Sequence, residues 1–191
     1  MKILIVYCHP NPASFCHAIL DTIVAKFKAL KNEVVVRDLY AMKFNPVLSG
    51  EDFVAFKSGK APADIAIEQG HINWCDLCVF VYPLWWVGLP ALVKGYIDRV
   101  YAFGFAYTMT PTGPKGLLTK NVVVIQTQGN PKEAYEKVMT PAMLATSDAG
   151  IFEFTGMKVL DHIFFPAVPF VTQEARQGYL RVIEEKVPTW T

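Results

Sequence analysis

Three short segments carry residue types that could do chemistry together. The first is Cys8-His9-Pro10-Asn11-Pro12-Ala13-Ser14-Phe15-Cys16, between an apolar run and helix-compatible sequence. Ser14 is placed to cap that helix. The free N–H groups of a first helical turn, helped by the helix dipole, make an anion site. His9 and Ser14 can add side-chain donors. There is no G-x-G-x-x-G and no Walker lysine, so the segment suits a phosphate held by backbone and hydroxyl groups. An ordinary capped helix would use the same residues. The second is Tyr82-Pro83-Leu84-Trp85-Trp86-Val87-Gly88-Leu89-Pro90. Pro83 and Pro90 stiffen it, and Gly88 allows close backbone approach. Its paired indoles suit the stacking of a flat aromatic ligand; packing in a core or a subunit interface is the alternative. The third is Gln126-Thr127-Gln128-Gly129-Asn130-Pro131, with Tyr135 close behind. Its amides and hydroxyl could meet the polar edge of a planar ring, with the phenol held over it. A polar turn with a surface tyrosine is the plainer alternative.

For these segments to meet, the elements before them must align. Ile3 to Tyr7 is a continuous apolar run, the mark of a strand buried on both faces. Further strands are predicted at Val34–Val36, Cys78–Tyr82, Val122–Ile125 and within Lys158–Phe165. Helices are predicted near Cys16–Leu30, Ile65–Ile72, Ala91–Tyr101, Lys132–Phe154 and Thr172–Glu185, several with apolar residues at helical spacing. Strands alternating with helices imply parallel strands joined by crossovers. Five strands fit one open doubly wound α/β sheet, a single domain over residues 1–191. Ligands of such sheets bind beyond the carboxyl ends of the strands, at the switch in strand order. The three segments fall just after strands one, three and four.

Composition narrows the partners. The 191 residues are 52% hydrophobic and 18% charged, which argues against disorder. Net charge is +1 with no basic stripe, so nucleic acid is not the expected partner. The uncharged stretch from Leu77 to Val93 is too short for a membrane span and contains Pro83, Gly88 and Pro90. No signal peptide is expected, because His9-Pro10-Asn11-Pro12 ends the first apolar run early. A cytoplasmic protein with reduced Cys8, Cys16, Cys75 and Cys78 is therefore expected. Cys75 and Cys78 have C-x-x-C spacing but stand alone and precede a strand, a weak metal or redox signal. Cys8, His9, Cys16 and His17 could be drawn as a zinc set, but a phosphate loop explains the region with fewer assumptions. His17, His71 and His162 show no clustered ligand pattern. No metal is expected.

The run Tyr82-Pro83-Leu84-Trp85-Trp86-Val87-Gly88-Leu89-Pro90-Ala91-Leu92-Val93-Lys94-Gly95-Tyr96-Ile97-Asp98-Arg99-Val100 resembles the signature of the NAD(P)H:quinone oxidoreductase (DT-diaphorase) family. Phe103-Gly104-Phe105-Ala106-Tyr107 continues it. Asp38-Leu39-Tyr40, Phe44-Asn45-Pro46, Asp64-Ile65, Glu68-Gln69 and Asp76-Leu77 resemble upstream family segments. The likeness covers almost the whole chain and is nearest to the shorter bacterial members. It implies a flavodoxin-like three-layer fold, with a five-stranded parallel sheet in the order 2-1-3-4-5. It also implies a bound flavin and a homodimer with its sites at the subunit interface.

Carried over by position, His9, Ser14, Phe15 and Cys16 would surround the flavin phosphate. Pro83, Leu84, Trp85, Trp86 and Val87 would line the ring and ribityl chain. Thr127, Gln128, Gly129 and Asn130 would meet the pyrimidine end. Gln69 matches a position near the adenine of FAD-containing members. FAD is the expected cofactor and FMN the alternative. Tyr135 falls where the family has a catalytic tyrosine. The histidine that follows it in animal members is absent, since Lys137 to Gly150 contains none. The resemblance implies ping-pong hydride transfer from NAD(P)H through the flavin to a quinone or similar flat acceptor. Trp86, Phe103, Phe105 and Tyr107 would form the substrate pocket. A regulatory flavoprotein that binds a partner such as a transporter subunit is the alternative, as is an electron-transfer flavodoxin, which the near-neutral charge disfavours.

Overall fold

The computed structural model describes every residue from Met1 to Thr191. In chain order the elements are β1 (Lys2–Tyr7), α1 (Phe15–Ala29), β2 (Glu33–Asp38), α2 (Gly50–Lys57), α3 (Ala63–Trp74), β3 (Leu77–Pro83), α4 (Ala91–Val100), β4 (Tyr107–Thr110), β5 (Gly113–Gly116), β6 (Asn121–Thr127), α5 (Met139–Leu144), β7 (Lys158–Phe165) and α6 (Gln173–Lys186). The parallel sheet has the order β2-β1-β3-β6-β7. Counting only its own strands, that is 2-1-3-4-5, as expected.

Strand alternation divides the core in two. Leu4, Val6, Phe80, Tyr82, Val122 and Val124 face α3, α4 and Phe152. Ile3, Ile5, Val79, Val81, Val123 and Ile125 face α1 and α6 through Ile19, Ile23, Phe27 and Ile183. Central strands are thus apolar on both faces, and their sequences read as unbroken apolar runs. On edge strand β7, Leu160 is an extra residue against β6, because Val122 pairs with Val159 and Val123 with Asp161. Such a bulge re-aims the side chains that follow it.

One helix and one two-stranded hairpin lie outside the predicted set. Helix α2 begins with a capping box, Ser49 and Asp52 each satisfying the other's backbone N–H. A hairpin, β4 against β5, turns through Pro111 and Thr112. The long helix predicted over 132–154 is also divided. A single 3-10 turn occupies Lys132–Ala134, α5 starts only at Met139, and Ala145–Glu153 continues it as a wider π-helical run. Pro141 has no N–H to contribute to the first turn of α5, and apolar spacing alone does not register such interruptions.

A buried charge cluster binds the helices of one face together. Arg99 of α4 grips Asp52 of α2 with two hydrogen bonds of 2.9 Å, and reaches Asp64 at 2.6 Å and Asn45 O at 3.0 Å. Glu68 of α3 accepts from Arg37 and from the Tyr96 hydroxyl. Gly95 of α4 packs so closely against Pro46 that a Cβ there would collide with its backbone. These contacts account for several segments of the family signature without any catalytic role.

Candidate functional site

The loop after β1 is organised to present donors. Ser14 caps α1 in extended backbone, its Oγ accepting from His17 N at 3.2 Å. The Tyr7 hydroxyl lies 3.4 Å from the same oxygen. The Phe15 and Cys16 amides that open α1 have no carbonyl a turn earlier to bond, so they are available to an anion. Asn11 N donates to His9 Nδ1 at 3.0 Å. His9 Nδ1 is therefore an acceptor, and the ring hydrogen of the neutral form sits on Nε2. Burial lowers the His9 pKa and keeps that neutral form.

The loop after β3 is strained. Trp85 and Gly88 exchange backbone hydrogen bonds of 3.3 and 3.0 Å around a two-residue turn. Its central residues, Trp86 and Val87, have φ of 53° and 57°. Two positive φ values define a type I′ turn, which normally selects Asn-Gly. A bulky and a β-branched residue there cost on the order of 1–2 kcal/mol each. The turn leaves Trp86 fully exposed, while Trp85 stands beside His9 with ring centroids 6.2 Å apart.

The loop after β6 closes the group. Thr127 O accepts from Leu84 N at 2.8 Å, and Gln128 N donates to Phe165 O at 2.8 Å. Cys16 Sγ lies 3.1 Å from Thr127 Oγ1. A cleft of about 220 Å³ is lined by His9, Phe15, Cys16, Pro83, Leu84, Trp85, Thr127, Gln128 and Gly129. All three loops thus converge at the carboxyl ends of β1, β3 and β6. Gln128 Nε2 is buried here without a hydrogen-bond partner. Buried donors are seldom left so, and one beside an aromatic cleft asks for an acceptor on a ligand. A helix N-terminus at one end, an indole on the wall and a lining residue with an unpartnered amide fit the phosphate, ring and ring edge of a flavin.

Other expected site residues lie elsewhere in the chain. Asn130 N donates to the Tyr135 hydroxyl at 3.4 Å. Tyr135 is buried among Leu84 and Met143, with Val87 and Phe164 packed alongside, so it supports the loops and does not line the cleft. Gln69 donates to Val100 O at 3.0 Å and lines a different cavity, about 360 Å³, with Phe103 and Phe105. Phe103 and Tyr107 meet edge to face at 5.7 Å, and both line a neighbouring cavity of about 560 Å³. Neither cavity shares a residue with the cleft, and Trp86 does not join Phe103, Phe105 and Tyr107 within one chain.

Sequence reading missed the wall that follows β7. Val168 and Pro169 line the cleft and also an adjoining cavity of about 420 Å³ with Ser14, Phe15, Gln173, Arg176 and Gln177. Arg176 is braced there by donating Nε and Nη2 to Val168 O at 3.2 and 3.0 Å. The strand-end rule, applied to the fifth strand as well, would have pointed to them. The four cysteines are free and buried. Burial pushes Cys8 up to about 12 and Cys16 and Cys75 up to about 11, and Cys78 also rises. Such thiols are inert. No group of three or more His, Cys, Asp or Glu is placed to hold a metal.

Comparison with known proteins agrees with this fold. A family model described as "Flavodoxin-like fold" matches residues 1–187. The chain belongs to the flavodoxin-like fold family. Within that family it is 35% identical over 190 residues to an uncharacterised NAD(P)H oxidoreductase of Haemophilus influenzae, covering 97% of this chain and 94% of the relative. It is 30% identical over 210 residues to NAD(P)H dehydrogenase [quinone] 1 of Rattus norvegicus, covering 98% and 77%. The solved structure of a candidate quinone reductase from Klebsiella pneumoniae superposes with a TM-score of 0.93 at 28% identity, covering 100% of this chain and 85% of that one. The resemblance to quinone oxidoreductases therefore holds. No helix of this flavodoxin-like chain is long and apolar enough to cross a membrane.

Proposed function

We propose that the chain is an NAD(P)H:quinone oxidoreductase that binds a flavin in the cleft between the β1, β3 and β6 loops. The observation that carries this reading is an aromatic cleft that ends at a helix N-terminus and is lined by Gln128, whose buried Nε2 has no partner. A bound flavin supplies the redox chemistry, accepting hydride from a nicotinamide and passing it to the acceptor. The protein supplies position and electrostatics. The first amides of α1, the Ser14 region and His9 Nε2 hold the phosphate. Trp85 and the Pro83–Leu84 backbone wall the ring. Gln128 and the Gly129 N–H would meet the ring edge, where negative charge would develop on reduction. The strained Trp86–Val87 turn follows Trp85 on the cleft wall, and the cleft would take a flat guest, first NAD(P)H and then a quinone. Use of one face by both gives ping-pong kinetics.

The cofactor is FAD in this reading. The cavity with Arg176 continues from the phosphate end and offers a guanidinium and two amides beyond it. The working form is a cytosolic homodimer, in which Gln69, Phe103, Phe105 and Tyr107, remote from their own cleft, complete the partner's site. Heat release of the flavin and chromatography should give FAD, and quinone-dependent NAD(P)H oxidation should give parallel double-reciprocal lines. Arg176→Gln should weaken FAD more than FMN. Intersecting lines would exclude ping-pong turnover, and a protein that takes up neither flavin would exclude the whole reading.

A further inference from the structure

Behind the cleft lies a buried pair with no part in it so far. His162 follows the bulge at Leu160 on β7, and its Nδ1 lies 2.8 Å from Asp148 Oδ1 on the π-helical run. The His162 side chain is 4% exposed and that of Asp148 15%. A carboxylate only accepts, so Nδ1 carries the hydrogen. His162 Nε2 has no partner. The pair has two arms. In one, the imidazole stacks on Phe164, centroids 4.3 Å apart and planes 19° from parallel. In the other, Ser147 Oγ lies 2.7 Å from the same carboxylate oxygen and 2.8 Å from Met143 O, its single hydrogen shared between them. Met143 shares one small buried cluster with Tyr135 and Leu84, and Phe164 packs against that cluster. The arms thus converge on the cluster that holds the Tyr135 phenol, whose oxygen takes the Asn130 N–H.

Apolar side chains would fill this space without the desolvation that an acidic side chain and an imidazole incur. A polar pair here gains direction instead: one hydrogen bond fixes both the ring plane under Phe164 and the turn that carries Met143. π-helical turns also gather at functional sites. We propose that Asp148 and His162 are positioning residues that hold Tyr135, and through it the Gln128–Asn130 loop, in register with the cleft. The catalytic consequence rests on the flavin reading above; the positioning itself does not.

The experiment uses Asp148→Ala and Asp148→Asn. An Asn oxygen still accepts from Nδ1, so Asp148→Asn should behave as the parent. In flavin-free Asp148→Ala, amide exchange over residues 128–135 should quicken about tenfold, the scale of one lost hydrogen bond, with residues 2–7 unchanged. With the flavin bound, kcat should fall about tenfold or more. In a Tyr135→Phe background the same change should cost nothing further, because the pair acts through the phenol. His162→Phe keeps the ring stack and loses only the donor; it should quicken the same amides, and it serves if Asp148→Ala does not fold. Unchanged exchange in folded Asp148→Ala or His162→Phe would overturn the proposal. So would an equal fall in kcat in both Tyr135 backgrounds. Absent quinone turnover in the parent protein would sink the flavin reading and leave the exchange result to decide the positioning.

Discussion

The charge cluster beneath α2, α3 and α4 and the cleft at the ends of β1, β3 and β6 both gather polar residues, and they treat them in opposite ways. In the cluster, Arg99 is matched by Asp52, Asp64 and Asn45 O, and Glu68 by Arg37 and Tyr96. On the cleft wall Gln128 Nε2 is left without a partner, and in the turn after Trp85 Trp86 is exposed and two residues are held at positive φ. Segments of the same family signature run through both regions. Satisfaction separates these two regions: the polar groups of the cluster have their bonds complete and hold the helices together, while Gln128, on the cleft wall, keeps a bond to spare.

The contrast is broken most strongly on the scaffold side. Arg99→Ala leaves the Asp52 carboxylate buried and unpaired, which should cost about 3–5 kcal/mol in urea unfolding. The flavin affinity of the fraction that remains folded should stay at the parent value. A smaller change, of opposite sign, is expected beside the cleft. Trp86→Gly relieves a positive φ at a fully exposed side chain and should raise stability by up to about 1 kcal/mol, net of the glycine's added freedom when unfolded. Thermal unfolding should show the gain, and quinone turnover should fall as the turn loosens. Ser14→Ala removes a cap and should cost about 1 kcal/mol of stability, while also weakening phosphate-end binding in a flavin titration. At neutral pH the fourth test shows nothing. Arg99 holds the Asp52 carboxyl below its ordinary range, so on acidification the unfolded chain takes up that proton first. This stabilisation is whole above about pH 4 and is lost as acid titrates the folded carboxyl. Urea midpoints should fall on that acid limb, and Arg99→Ala should flatten it. An acid limb unchanged by Arg99→Ala would refute the contrast as drawn.

Much of the fold was legible in residue order. Unbroken apolar runs such as Ile3–Tyr7 and Cys78–Tyr82 announce strands covered on both faces, and alternation with helices makes them parallel. Parallel strands then oblige the loops after β1, β3 and β6 to meet, and they do. The Ser49–Asp52 capping box was also readable as a helix start, although α2 was not predicted from it. What stayed hidden was long-range or local in geometry. The break of the 132–154 helix into 3-10, α and π segments depends on turn width, to which apolar spacing is blind. The wall of Val168, Pro169 and Arg176 joins the cleft only because β7 lies beside β6. Tyr135 could be named from its likeness to a catalytic position, yet its packing beneath the loop follows from Leu84, Met143 and Phe164 arriving from three elements. The sequence by itself determined which faces of which elements must be buried, because hydrophobic period follows chain order. Only the tertiary structure decided which polar groups find partners, because a hydrogen bond depends on a few tenths of an ångström between residues far apart in the chain.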